Sequence, residues 1–330
     1  MVSAHPRVAP LPRPVVATGL VVGILAVSAA AILSRYAMGD EPGVITAPAG
    51  AAPALAVAFW RTALGALALA PFAIRSARRS TVPRDARRQR RLAASGLALG
   101  LHFLLFQGAL ALTTVASAVT LATMSPLFVA LGGWWFLKEA TPRRMWIGMA
   151  MTMAGAIVVG VGDATTLELG TRALIGDGMA FGSALAITVY LLIGRVARRD
   201  TPTTTYSATV YGWAAAALLV ICLVTGTPLF GYDPATWLAI VGIVVGPQLL
   251  GHTVFNALLS TIPATLVSIV VLSEPVGAGV LAWLLLGELP SQLFAVGAPL
   301  VLLGVALATS RSRAPATSSD APVALDSDER

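Results

Sequence analysis

The chain has 330 residues, 57% hydrophobic and only 11% charged, with a mean hydropathy of +0.82 and a formal net charge of +7. Soluble domains carry about 25% charged residues, so this composition cannot cover a water-facing surface. The single cysteine, Cys222, excludes an intrachain disulfide and a thiolate metal site, and reads as a packing residue.

Ten apolar runs follow one another: 15–34, 52–72, 92–112, 115–137, 144–162, 174–194, 205–225, 236–258, 263–286 and 291–309. Each approaches the about 20 residues that a membrane-spanning helix needs. Lipid offers the backbone no hydrogen-bond partner, so these runs predict helices, and the alternating segments of a transmembrane barrel are missing. The first run follows Arg7 and Arg13 and is longer than the roughly 7–15 apolar residues of a signal peptide, which predicts an uncleaved first helix. The expected class is an all-α integral membrane protein of ten transmembrane helices.

In chain order, residues 1–14 form a Pro-rich basic lead and 15–162 hold the first five helices. Residues 163–173 connect to the second five, 174–309, and 310–330 form a tail rich in Ser, Ala, Pro and Asp that is expected to be disordered. The loop 39–53 is the longest of the outer loops and reads as flexible filler. Spaced small residues such as Gly19/Gly23, Gly96/Gly100, Gly178/Gly182 and Gly242/Gly246 allow close helix approach. Packing within the chain accounts for them first; a homodimer is the other arrangement they allow.

The net charge invites a nucleic-acid reading, which its distribution rejects. The basic residues fall in alternate loops: Arg7 and Arg13; eight arginines between Arg75 and Arg91; Lys138, Arg143 and Arg144; Arg195, Arg198 and Arg199; Arg311 and Arg313. The loops between them carry acids instead, Asp40, Glu41, Asp163, Glu168, Asp233 and Glu288. This positive-inside pattern predicts both termini on the cytoplasmic side of the cell (plasma) membrane. The 75–91 stretch serves that topology first, and could also touch anionic lipid.

The chain is also one unit written twice. Pro126, Trp134, Glu139, Gly148 and Gly155 recur as Pro275, Trp283, Glu288, Gly297 and Gly304, each displaced by 149 residues. Phe106/Phe255, Leu110/Leu259 and Leu137/Leu286 obey the same register. An odd number of helices per copy forces the second copy to be inverted. The turn 138–144 has three basic residues, whereas its counterpart 287–293 keeps the glutamate and has none, as inversion demands. Inverted membrane repeats are the architecture of secondary transporters, with a site between the halves.

The segments TLATMSPLFVALGGWWFLKEATPRRMWIGMAMTMAGAIVVG and VSIVVLSEPVGAGVLAWLLLGELPSQLFAVGAPLVLLGVAL resemble the end of an EamA domain of the drug/metabolite transporter (DMT) superfamily. The shared pattern is a membrane proline, a glutamate at the helix exit and a helix with spaced glycines. FWRTALGALALAP, 59–71, resembles the family's second helix, with Arg61 at the position of its frequent arginine, and GDGMAFGSALAITVYLLIGRVARR resembles its sixth. The resemblance implies two inverted EamA repeats around a central cavity, and export or exchange of small metabolites such as amino acids or amines. Tyr211-Gly212-Trp213 departs from the pattern where Arg61's counterpart would stand.

Few ionisable groups lie deep in the runs: Arg61, His102, His252 and Glu274. A charge at the bilayer centre costs about 2.5–3.5 kcal/mol on insertion scales and therefore faces the interior or a cavity. Glu274 precedes Pro275, which kinks its helix and frees carbonyls; its counterpart is Ser125 beside Pro126. Glu274 can carry a proton, hold a cationic amine, or serve structurally against Arg61. Arg61 can hold a substrate carboxylate or neutralise Glu274. His102 and His252 can relay protons or sit as core histidines. Gln107, Gln248, Asn256, Ser125, Ser273 and Thr123 are further polar candidates, and Trp60 and Tyr190 aromatic ones. Trp134, Trp135 and Trp283 read as interfacial anchors; Glu139 and Glu288 read as turn residues. The expected partners are a small-molecule substrate and the lipid bilayer, without cofactor or metal. The competing class is a membrane-embedded enzyme or lipid-handling protein, for which no HExxH or Asp-rich metal motif is present.

Overall fold

The computed structural model describes residues 9–39, 49–79, 85–122, 124–163, 170–286, 289 and 291–310. Most of the lead 1–14, the loop 39–53, the connection 163–173 and the tail 310–330 lie outside them, as do Thr123, Glu168 and Glu288. Among the described residues nine helices are long and apolar enough to cross a membrane: Arg13–Met38, Ala54–Arg78, Ala86–Leu112, Ser117–Leu137, Arg143–Val161, Thr171–Ala197, Thr203–Thr225, Pro234–Leu258 and Ala264–Leu281. With the shorter Phe294–Thr309 they are numbered here as spans one to ten. The chain is all-helical, as its composition requires.

Local chemistry sets the ends. Asp85 caps span three by accepting from the Arg88 N–H at 2.5 Å. Gly226, at φ 66°, closes span seven in the left-handed conformation that a Cβ would strain. Pro202 and Pro234 stand at helix starts, where no N–H is needed.

The two copies interlock. Span two packs on its own counterpart, span seven, and span five on span ten. Span three packs on span six, while its counterpart, span eight, packs on span one. The main core is therefore shared, with Phe59, Leu99 and Phe103 of the first copy buried against Tyr206, Tyr211 and Phe255 of the second.

The crossing of spans five and ten shows how the copies are related. A Cβ built on Gly148 would lie 2.5 Å from the Gly304 carbonyl oxygen, and one on Gly155 would lie 2.7 Å from that of Gly297. The reverse approaches, Gly304 to Gly148 and Gly297 to Gly155, are 2.6 and 2.7 Å. As numbering rises along one helix it falls along the other, so the spans are antiparallel. Gly148 is the repeat equivalent of Gly297, and Gly155 of Gly304, so each residue meets the equivalent of the other's partner. That is the contact pattern of a two-fold axis, and it requires inverted copies.

Gly155→Ala is expected to lower the unfolding free energy in detergent by about 1–3 kcal/mol through overpacking. Gly178→Ala, where nothing lies within 4 Å, should leave it unchanged or raise it. Equal effects in chemical unfolding would remove the close crossing as a stabilising contact.

Candidate functional site

Spans four and nine do not run through as single α-helices. Span four is helical to Ala122 and restarts at Ser125; span nine is helical to Val271 and restarts at Glu274. Both interruptions sit at the same place in the repeat, 149 residues apart. Proline causes them. Pro126 and Pro275 bring no N–H to the carbonyls of Ala122 and Val271, four residues earlier. The intervening chain tightens instead, with Met124 N–H bonding Leu121 O and Leu272 N–H bonding Ile269 O, each at 3.2 Å. The restarted half-helices thus place Ser125 and Glu274 on equivalent first turns partway along their spans.

A third irregularity lies in span eight. Pro247 removes another backbone donor, and Val244–His252 widens to a π-helix, with Thr253 N–H bonding Gln248 O. Such widened turns recur at functional sites, and this one ends on His252.

These irregular segments border one central cavity, with about 90 Å³ open to the centre of a water molecule. A water needs about 10–15 Å³ by the same measure, so the space holds several. Arg61, His102, Ser125, Tyr190, His252 and Glu274 all line it. So do Ala122 and Val271, whose carbonyls the prolines leave without a helical donor. Phe103, Phe106 and Phe255 form much of the apolar wall.

Arg61 is 1% exposed and held from two sides. Its Nε donates to Gln248 Oε1 at 3.1 Å, and its guanidinium carbon stands 3.8 Å from the centre of the Phe103 ring. Tyr211, next to Val210, the repeat equivalent of Arg61, serves the same glutamine by donating its hydroxyl to Gln248 O at 3.2 Å. Glu274 is only half-buried and has no hydrogen bond or ion pair among the described residues. Arg61 and Glu274 border one cavity without closing into a salt bridge. That leaves a cation and an acid available to whatever enters.

The two histidine rings lie 6.3 Å apart, centre to centre. His102 Nδ1 lies 3.1 Å from Ser183 O and 2.8 Å from Ser183 Oγ. The carbonyl can only accept, while the hydroxyl can donate to the ring or accept from it. His252 packs edge-on to Phe103, ring centres 5.1 Å apart.

Two of the polar candidates stand behind the cavity wall. Asn256 accepts the Tyr190 hydroxyl and donates from Nδ2 to Ser207 Oγ at 3.1 Å. Gln107 turns away and donates to Ser34 Oγ at 3.0 Å. Gln248 and Ser273 are buried without lining the space. Trp60 does not line it, and its Nε1 donates to Leu229 O at 2.8 Å.

Both ends of the bundle are laced across the repeats. At the arginine-rich end, Arg195 of span six bonds Glu139 of the first copy at 2.9 Å and Leu259 O at 2.8 Å. Beside it, within the second copy, Arg198 donates to Asn256 O at 2.8 Å. Burial pulls the Arg198 pKa down to about 10, which keeps it charged at neutral pH. Leu11 N–H also reaches Thr261 Oγ1 at 2.9 Å. At the other end, Asp177 of span six accepts from Thr113 Oγ1 at 3.0 Å and Ser117 Oγ at 2.6 Å. Asp233 N–H bonds Gly50 O at 2.8 Å.

Two copies with matched interruptions around a shared cavity form a specific pattern, and a family profile fits each copy: the EamA-like transporter family, over residues 17–161 and 174–310. The chain belongs to the EamA-like transporter family. It is therefore a multi-pass membrane transporter within the drug/metabolite transporter superfamily. The chain is similar to the "Uncharacterized transporter YwfM" of Bacillus subtilis (strain 168), 24% identical over 223 residues that cover 63% of this chain and 69% of that protein. Its fold matches a solved structure titled "Crystal structure of protein" with a TM-score of 0.72 and 22% identity, over 90% of this EamA chain and 97% of the other.

Asn256→Ala is expected to destabilise this EamA protein by about 1–3 kcal/mol, because it strands the buried Tyr190 hydroxyl. Glu274→Gln, which breaks no hydrogen bond or ion pair among the described residues, should leave the melting temperature unchanged or raise it. A large loss of stability in Glu274→Gln would instead make that carboxylate structural.

Proposed function

We propose that the protein is a secondary transporter moving a small metabolite with a charged group, an amino acid or an amine, by alternating access. The observation that carries this reading is the central cavity between the inverted copies, with Arg61 and Glu274 on its wall, attracting each other across it without a hydrogen bond or close ion pair between them. A guanidinium there can grip a carboxylate bidentately, and the Glu274 carboxylate can hold an ammonium group. The phenylalanine wall gives an apolar side chain a surface to meet. The modest volume favours a small solute over a drug-sized one.

Alternating access needs the cavity to open to one side at a time. The two laced ends support this. Each is closed by its own set of hydrogen bonds across the repeats, so one can break while the other holds. The interrupted spans four and nine, already released from continuous helical bonding, are natural places for bending. Proton coupling would run through Glu274, with His102 and His252 facing the same space. We place the domains as 15–162 and 174–309, with both termini cytoplasmic in the cell membrane, on the strength of the arginine distribution.

In proteoliposomes, saturable uptake of an amino acid or amine is expected from the wild type and from Glu168→Gln. Glu274→Gln and Arg61→Ala are expected to cut uptake at least tenfold, about 1.4 kcal/mol or more of binding or coupling energy. Full uptake by a well-expressed Arg61→Ala protein would exclude the cavity as the substrate site.

Orientation has its own test. With Cys222 replaced, single cysteines at Arg143 and Ser291 should react with impermeant reagents from opposite sides of the membrane. Labelling of both from one side would overturn the assigned topology.

A further inference from the structure

A second recess lies away from the central cavity, where the arginine-rich ends of spans two, three and seven diverge. It measures about 520 Å³ and shares no lining residue with the transport cavity. Its wall has two characters. Ala73, Ile74 and Ala77 of span two form an aliphatic side, continuous with Phe72, which is exposed on the same helix. Arg78, Arg88, Gln89 and Thr205 form a polar side. Arg78 is exposed. Arg88 is buried and fixed, its Nε donating to Thr201 Oγ1 at 3.3 Å.

The Thr205 hydroxyl oxygen is buried and has no hydrogen-bond partner among the described residues. Thr205 lies in the first turn of span seven, Thr203–Thr225, so the residue four before it stands outside the helix. No acidic side chain lines the recess among the described residues. The acids close by are occupied: Asp85 caps span three, and Asp200 accepts the Thr201 hydroxyl at 2.9 Å.

We propose that this recess binds an anionic phospholipid of the leaflet at the arginine-rich end, its phosphate on Arg78 and Thr205 and an acyl chain along Ala73, Ile74 and Ala77. The chemistry selects this occupant. An anion is drawn by two arginines, a phosphate oxygen can accept from the orphan hydroxyl, and an aliphatic wall at the membrane surface suits a chain rather than water. Basic recesses between membrane helices are suited to acidic headgroups, each arginine contributing about 1 kcal/mol. A soluble phosphate would use the polar side and leave the aliphatic side wet, which is the less favourable filling.

The test is native mass spectrometry of the full chain in a neutral detergent. It is titrated with phosphatidylglycerol, phosphatidylcholine of the same chains, and glycerol phosphate. Phosphatidylglycerol should bind about fivefold or more tightly than phosphatidylcholine, matching one arginine's contribution. Arg78→Gln should remove most of that preference, and Thr205→Val should weaken phosphatidylglycerol binding severalfold. Arg143→Gln, an exposed arginine at the same end but outside the recess, should change neither. Equal binding of the two lipids would overturn the proposal, as would a preference untouched by Arg78→Gln and Thr205→Val. Displacement of phosphatidylglycerol by equimolar glycerol phosphate would reassign the recess to a soluble phosphate.

Discussion

A helix that stops inside a bilayer leaves amides and carbonyls that lipid cannot satisfy, and the rest of this molecule is arranged around that constraint. Prolines at 126 and 275 stop spans four and nine near their middles. The backbone groups so released must meet protein or a hydrated space, and Ala122 and Val271 border the cavity. Cavity and interruptions therefore imply one another. Filling the space with a large apolar side chain would strand those carbonyls, and restoring continuous helices would remove the need for polar surroundings.

The two-fold relation supplies the scaffold, and departures from it supply the chemistry. Gly148, Gly155, Gly297 and Gly304 keep spans five and ten in reciprocal contact at the edge of the bundle. At the centre the copies differ where it matters. Ser125 is the repeat equivalent of Glu274, and Arg61 corresponds to Val210, with Tyr211 beside it. A symmetric pair of acids, or of arginines, would place like charges in one small cavity of low dielectric. One acid and one cation avoid that repulsion and give the site a direction, which a polar solute with two different ends can read.

The architecture was legible in the sequence because it rests on properties that survive without coordinates: hydropathy, the alternation of arginines between loops, and a fixed register. Glu274, Arg61 and the histidines stood out because charge in an apolar run is costly. What the sequence hid were choices made by helix rotation. Gln107 and His102 share span three, yet five residues turn a side chain by about 140° around the axis, so one faces Ser34 while the other lines the cavity. Partners remote in sequence were equally hidden. Ser183 meets His102 across 81 residues, and Gln248 meets Arg61 across 187. The π-helix of span eight left a trace in Pro247, but proline alone does not say whether a helix kinks, breaks or widens.

Arg61 and Glu274 decide how the cavity is best understood. If the pair existed to stabilise the fold, burial would favour their closing into a bonded ion pair, since separated charges in an apolar wall forfeit the attraction that offsets their desolvation. They do not close. Arg61 is pinned by Gln248 and Phe103, which neutralise none of its charge, and Glu274 is left to the cavity. Fixing the arginine with neutral partners keeps its position while preserving its field. An entering solute that brings its own opposite charges then completes two interactions that the protein leaves open. On the proposed reading, such a solute gains attraction to both groups while the ends are laced, and loses it when water enters as either end opens.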